Sequence, residues 1–165
     1  MDVEAVINGL DSFVQLVAFS LEGQGYALPL ASVERVLPAV ALTPLPEAPA
    51  IVLGLLNLGG RVVPVVNIRR RFRLPERGVE LADRLIVART ARRTLALLVD
   101  TVSGVIEVAP EIVTMVEDVL PGLTHVRGVV RVSTGLILVH DLETCLSLDE
   151  AVALDEALSP AGEGS

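Results

Sequence analysis

Few side chains in this 165-residue sequence can carry reaction chemistry, and their spacing keeps them apart. His125 and His140 are the only imidazoles, and Cys145 is the only thiol. A nucleophilic thiol needs a neighbouring base and a lowered pKa. Cys145 instead shares an inward stripe with Leu142 and Leu146 on a predicted short helix, where an inert buried thiol is expected. His140 and Asp141 are adjacent, but successive strand residues point to opposite faces, so they make a poor base and carboxylate pair. His125 stands alone beside a turn. No Cys-x-x-Cys, no His pair at helical spacing, no glycine-rich phosphate loop and no serine elbow is present. The Asp and Glu residues fall on turns and helix starts, where solvation and capping account for them. Neither catalysis nor a bound metal nor a cofactor is expected.

Recognition through surface remains. Gly59-Gly60 supplies the positive φ that a two-residue hairpin turn demands, and it exposes backbone beside Asn57 and Arg61. Leu42 and Leu45, set among Pro38, Pro44, Pro46 and Pro49, make a rigid apolar loop that costs little entropy to order against a partner. Both features suit a protein that binds proteins, and both also occur in ordinary β-domain loops.

The elements that hold these loops are β-strands. Apolar residues make up 52% of the chain but aromatics only 2%, so the core consists of Val, Leu, Ile and Ala, a composition that favours strands. The longest apolar stretch, Ala48 to Leu56, is interrupted by Pro49 and Gly54 and falls well short of the roughly 20 residues of a membrane span. The N-terminus lacks the basic start of a signal peptide, so a soluble cytoplasmic protein is expected. A single Cys agrees with a reducing compartment. The net charge of −8 argues against nucleic-acid binding.

Two blocks recur along the chain. Residues 52–69 match residues 126–143 at a shift of 74, which sets Gly54 on Gly128 and Asn67 on Asp141. Residues 27–33 match 96–102 at a shift of 69, and one longer loop explains the difference of five. This self-similarity predicts two β-rich halves, about residues 13–78 and 84–146, behind a leader at 1–12. Strands are predicted around Val14–Ser20, Tyr26–Leu30, Leu55–Leu58, Arg61–Val66, Leu85–Ala88, Leu95–Val99, Gly104–Val108, Gly128–Val132 and Leu136–His140. A short helix is predicted near Ala48–Leu53. Pro64 predicts an edge strand or a bulge. Asn67 and Asp141 each cap a helical turn, with Ile68 and Phe72 inward and Arg69, Arg70, Arg71 and Arg73 mostly toward water. Ser147 and Glu150 form a capping box for a last helix reaching about Leu158, followed by a loose tail.

A family resemblance rests on several ordered motifs. These are Tyr26-Ala-Leu-Pro-Leu-x-x-Val33, Thr43-Pro-Leu-Pro46, and Gly54-Leu-Leu-Asn57-Leu-Gly-Gly60-x-x-x-Pro64-Val-Val-Asn67-Ile-Arg69, followed by Val99-Asp100-x-Val102 and Leu136–Leu146. Together they resemble the CheW family of bacterial chemotaxis adaptors, over about residues 13–147. The resemblance implies a mainly β fold of two small five-stranded barrels on a shared apolar core. It also implies a non-catalytic cytoplasmic adaptor between the cytoplasmic tip of methyl-accepting receptors and the regulatory domain of a CheA-type histidine kinase, recruited to receptor arrays at the membrane without inserting into it. Receptor contacts carried over from the family fall on Val33, Asn57, Gly59, Gly60 and Ile86, and kinase contacts on Arg35, Val36, Val40 and Leu42. The family turn usually reads N-L-R-G. Here Gly59 takes the place of its Arg, and Arg61, two residues later, is the candidate substitute. Asn67 stands where the family has Asp. Asn caps as well as Asp, so the Asn67 change is mild, whereas the Gly59 departure leaves flagellar chemotaxis and a variant chemosensory pathway both open. The competing class is a small-ligand-binding or catalytic β-barrel, which would show a polar convergent cavity with perturbed acids rather than a solid aliphatic core.

Overall fold

The computed structural model describes residues 14–109, 113–115 and 125–159. The predicted leader, the turn at Pro121-Gly122 and the tail beyond Ser159 lie outside these residues. The described residues form eleven strands and one α-helix. In chain order the strands are β1 (Val14–Leu21), β2 (Gln24–Pro29), β3 (Val33–Pro38), β4 (Val52–Leu58), β5 (Arg61–Val66), β6 (Arg84–Arg89), β7 (Thr94–Val99), β8 (Thr101–Val108), β9 (Val113–Met115), β10 (Val126–Val132) and β11 (Gly135–His140), and the helix is α1 (Leu148–Leu158).

Two sheets result, ordered β8-β1-β2-β11-β10-β9 and β3-β6-β7-β5-β4. The duplication is visible in the hydrogen-bond registers. Val52 pairs with Val66 and Gly54 with Val65, with a register shift between them; 74 residues on, Val126 pairs with His140 and Gly128 with Val139, with the same shift. The hairpin pairs Leu16↔Pro29 and Ser20↔Gly25 recur 69 residues on as Leu85↔Leu98 and Arg89↔Thr94. The outer strands agree too, since Phe19↔Val102 and Ala18↔Gly104 match Val33↔Ala88 and Arg35↔Val87 around equivalent bulges.

The sheets nevertheless do not follow the predicted division at residues 13–78 and 84–146. The hairpin β1–β2 joins β8–β11, because β2 runs parallel to β11 through Ala27↔Val139. In the other sheet, β7 takes the equivalent place beside β5 through Val65↔Ala96. The second sheet is continuous in sequence, β3 to β7, while the first is assembled from both ends of the chain.

Neither sheet closes into the predicted barrel. The outer edge of β4 is occupied by its own approach loop, since Leu55 N donates to Thr43 O at 2.7 Å and Thr43 N to Leu55 O at 2.9 Å. The Leu55 amide and carbonyl are both taken up in this bridge. The fit is tight, because a Cβ on Gly54 would lie 2.8 Å from the Thr43 carbonyl oxygen. In the first sheet, β9 takes the equivalent edge of β10. The predicted helix near Ala48–Leu53 is absent. Pro49 accepts from the Val52 amide in a turn, and β4 begins at Val52. Pro64 lies in an internal strand, and the irregularity opposite it falls on β4 at Gly54. The β5–β7 ladder covers only Val65 and Val66, so the donor that Pro64 lacks is not needed there.

Each sheet curls over a small aliphatic core of its own. One contains Val14, Leu16, Val130 and Val139, and the other Leu56, Val63, Leu85, Val87 and Ala96. The opposite faces meet in a larger shared core that holds Phe19, Leu28, Ile68, Ile86, Leu97 and Leu154. Burial on both faces explains why these strands read as nearly unbroken Val and Leu. The aromatic rings stack through the shared core, Phe19 on Tyr26 at 5.8 Å, Tyr26 on Phe72 at 4.5 Å, and Phe72 edge-on to His140 at 5.1 Å. α1 seals the core with Ala151 and Leu154. Its capping box is formed, with Ser147 N donating to Glu150 Oε1 at 2.8 Å and Glu150 N to Ser147 Oγ at 3.1 Å.

Candidate functional site

The residues able to do chemistry are placed in structural roles. His140 is fully buried at the end of β11, and its Nδ1–H donates to the His125 carbonyl at 2.8 Å. Burial holds its pKa down at about 4, and the nearby Arg71 cation adds to the effect, so the ring is neutral at pH 7. His125 Nδ1 lies 2.8 Å from the Thr144 hydroxyl, and burial lowers its pKa too. Asp141 accepts from the Glu143 amide at 3.2 Å and Asn67 from the Arg69 amide at 3.3 Å, the two predicted caps in equivalent 3-10 turns. Burial drives the Cys145 thiol up to about 12, which removes its thiolate. Among the described residues no group of His, Cys, Asp and Glu can hold a metal.

The hairpin between β4 and β5 is exposed. Gly59 and Gly60 have φ of 63° and 91°, as the predicted turn requires. Asn57 Oδ1 accepts from the Gly60 amide at 2.9 Å and so stiffens the turn from its own strand. Arg61 does not swing freely. Its Nη2 donates to Glu34 Oε1 at 2.7 Å, and Arg89 Nη2 holds the other Glu34 oxygen at 3.1 Å. Hydrogen bonds from Arg61 and then Arg89 hold the Glu34 carboxyl down at about 2. Glu34 sits in the β3 bulge between Val33 and Arg35. This clasp spans the open side of the sheet, from β5 to the opposite edge strand. Glu34 and Arg89 were not expected from the sequence. They lie 27 and 28 positions from Arg61, and no local pattern links them.

The carried-over contact positions divide. Asn57, Gly59, Gly60 and Arg61 are together and exposed, and Val33 is half-buried nearby on β3. Ile86 is fully buried. It lies on β6, an inner strand covered on both faces, and its side chain belongs to the shared core, so it supports the sheet and is not available to a partner. On the edge strand β3 and the loop after it, Arg35 is exposed and Val36 and Val40 are 40% and 46% exposed, whereas Leu42 is half-buried against the inner core. Val40 lines a shallow cleft of about 430 Å³ with Leu42, Leu53, Val79 and Leu81, and Leu81 is 95% exposed.

The arginine run departs from its predicted exposure. The Arg69 side chain is only 5% exposed and pairs with Glu22, in the β1–β2 turn, and with Asp100, at the crossing from β7 to β8. Its Nη1 also donates to the Pro75 carbonyl at 3.1 Å. Burial opposes the Arg69 charge, but the bonds to Glu22 and Asp100 outweigh it and raise the pKa. Arg77 bridges Asp100 at 2.7 Å and Asp83 at 2.8 Å. Burial pushes the Asp83 carboxyl up, but the Arg77 fork and the Glu80 amide outweigh it and leave it below the ordinary value. Arg71 reaches Glu150 of α1 at 2.8 Å. The motifs that contain Arg69 and Asp100 therefore meet in one part-buried ion-pair network, centred on buried Arg69, that links the two sheets where the chain crosses between them.

The two sheets, their aliphatic cores and the shared core between them define a mainly β fold in which His125, His140 and Cys145 are held in packing and hydrogen-bonding roles. The CheW-like domain profile matches residues 15–150. The chain is 30% identical to the chemotaxis protein CheW of Treponema pallidum over 146 residues, 85% of this chain and 86% of that protein. It is 28% identical to a probable chemotaxis protein CheW of Rhizobium etli, over 84% of this chain and 91% of the relative. The structure of the scaffolding protein TtCheW from Thermoanaerobacter tengcongensis superposes with a TM-score of 0.76 at 26% identity, covering 84% of this chain and 95% of that one. The chain belongs to the CheW family of bacterial chemotaxis adaptors, scaffold proteins without catalytic activity.

Proposed function

We propose that this protein couples methyl-accepting chemoreceptors to a CheA-type histidine kinase in the cytoplasm, as part of arrays beneath the membrane. No described helix is long and apolar enough to cross a membrane. The observation that carries the reading is the pairing of two different exposed surfaces on one rigid sheet. One is the polar turn Asn57–Arg61 with its Glu34 clasp, and the other is the apolar edge from Val36 to Leu42. The turn receives the receptor tip. Arg61, held by Glu34, supplies the guanidinium that the Gly59 position lacks. The apolar edge receives the regulatory domain of the kinase.

Calorimetry with each partner separately tests the two surfaces. Val40→Asp places a charge in the apolar edge and is expected to weaken kinase binding by about 2 kcal/mol with receptor binding unchanged. Arg61→Ala is expected to weaken receptor binding and leave the kinase unaffected. If Arg61→Ala has no effect and Gly59→Arg strengthens binding, Arg61 is not the substitute. If neither change alters receptor affinity, the turn is not the receptor surface. Wild-type kinase affinity in Val40→Asp places that interface elsewhere.

A further inference from the structure

Two buried nitrogens near α1 have no hydrogen-bond partner among the described residues, Nε2 of His140 and Nε of Arg71. Nearly all buried polar atoms in folded proteins are paired, so two orphans in one cluster call for an explanation. His140 Nδ1–H donates to the His125 carbonyl at 2.8 Å, which leaves Nε2 as the lone-pair nitrogen and the atom that must take up any proton. Phe72 stands edge-on to the ring at 5.1 Å. A proton on Nε2 would create a buried donor without an acceptor, in the field of the Arg71 cation. The closed fold therefore holds the neutral ring and has no place for the charged one.

The charged and titratable groups around the ring come from every element packed there. Arg71 follows the 3-10 turn Ile68–Arg70, Tyr26 of β2 stacks on Phe72, and His125 precedes β10. Asp141 and Cys145 flank the 3-10 turn Leu142–Thr144, and Glu150 lies on α1, where it pairs with Arg71 at 2.8 Å.

The segment after His140 is the part of the fold able to lift. Among the described residues strand pairing ends at His140. Beyond it the turn and α1 are held by side chains. Leu142, Cys145 and Leu154 enter the shared core, Glu143 accepts from the Ala91 amide at 3.0 Å, Asp155 pairs with Arg93, and the Thr144 hydroxyl lies 2.8 Å from His125 Nδ1. Lifting this segment breaks no strand ladder, so it costs less than unfolding the sheets. It withdraws Thr144 from His125 and Glu150 from Arg71, and it opens the cluster to water.

We infer that His140 is an acid-sensitive latch for this segment: Nε2 takes up its proton when the turn and α1 lift from the shared core, and falling pH therefore favours the lifted state. The folded pKa, held down first by burial to about 4, lies below the ordinary 6.5, so the lifted state binds the proton first as pH falls. Its population should rise about 25-fold between pH 7.5 and 5. Leu158, at the end of α1, borders a groove with Leu55 and Val62, and Val62 is the cross-strand partner of Asn57. The latch thus governs the surface next to the turn Asn57–Arg61.

Amide hydrogen exchange of the full chain tests this, read as protection factors so that the intrinsic pH dependence cancels. The α1 amides are expected to be less protected than those of β7, and their protection is expected to fall about 25-fold between pH 7.5 and 5. In His140→Gln the fall should be less than threefold. If that variant does not fold, deuterium uptake at the His140 ring carbon Cε1 in the wild type makes the assignment, since it should rise in step with the α1 amides. Protection of α1 that does not change with pH would show that the helix opens without exposing the ring, and would overturn the inference. Equal protection of α1 and β7 at every pH would leave only global unfolding and would overturn it too. So would an undiminished fall in His140→Gln, or a ring that exchanges only in step with β7.

Discussion

Replacing Arg69 by Met keeps the length and apolar body of the side chain and removes only its guanidinium. In the wild type that group is 5% exposed and serves Glu22, Asp100 and the Pro75 carbonyl at once. Removing one member of a fully buried ion pair costs roughly 3–5 kcal/mol, because the partner charge stays desolvated. Two features reduce that figure. The Glu22 side chain is 40% exposed and can recover water, and Asp100 keeps Arg77 at 2.7 Å. The expected loss is therefore about 2–3 kcal/mol, equivalent to roughly 5–10 °C in the thermal midpoint for a chain of this size. Urea unfolding followed by circular dichroism measures the first and a thermal scan the second. A cycle with Asp100→Asn should show a coupling of about 1–2 kcal/mol, since the two side chains share one network. Arg69→Lys, which can reach only one of the two carboxylates, should fall between wild type and Met. An Arg69→Met protein within about 0.5 kcal/mol of wild type would behave as surface arginines do and would refute the buried network.

Asn67→Ala and Asp141→Ala are each expected to cost about 1 kcal/mol in urea unfolding, since each removes one cap from an equivalent turn; unchanged midpoints in both would count against the capping role. His140 predicts a pH dependence. Its folded pKa of about 4 lies below the ordinary 6.5, so the unfolded chain takes up the proton first and stability falls as pH drops below 6.5. Between pH 7.5 and 5 the loss should be about 2 kcal/mol, with His125 adding in the same direction. The carboxylates of Glu34 and Asp83, both lowered, stay charged in the fold over this window, and their contribution is lost only at more acid pH. His140→Gln should flatten the profile above pH 5, and an equally steep profile in that variant would assign the proton to another group.

Much of the local structure is legible in the residues. Alternating and continuous Val and Leu runs mark nine of the eleven strands, and Gly59-Gly60 marks its turn. Asn67, Asp141 and the Ser147–Glu150 pair mark their helical starts, because capping is decided within four residues. The recurrence at shifts of 74 and 69 anticipates the equivalent registers pair by pair. The candidate site was legible in part. Asn57, Gly59, Gly60 and Arg61 emerge as an exposed turn, whereas Ile86 lies in the shared core. In strands covered on both faces, apolar alternation does not separate a surface position from a core one.

The sequence by itself therefore determined nine of the eleven strands, the caps, the internal repeat, the aliphatic core and the absence of catalytic spacing, and through its motifs the family. All of these are set by side chains near one another along the chain. β3 (Val33–Pro38) and β9 (Val113–Met115) were decided by the edges they pair with. Only the tertiary structure decided that β1 and β2 join the far half, because the parallel pairing of β2 with β11 brings together residues more than 110 positions apart. It also decided that Thr43 bridges Leu55 at the edge of β4, that Arg69 is buried against Asp100, and that Glu34 clasps Arg61. These depend on which sheet edges and which charges meet after folding. Equivalent strands present almost the same pattern to either partner, so their local sequence does not select between them.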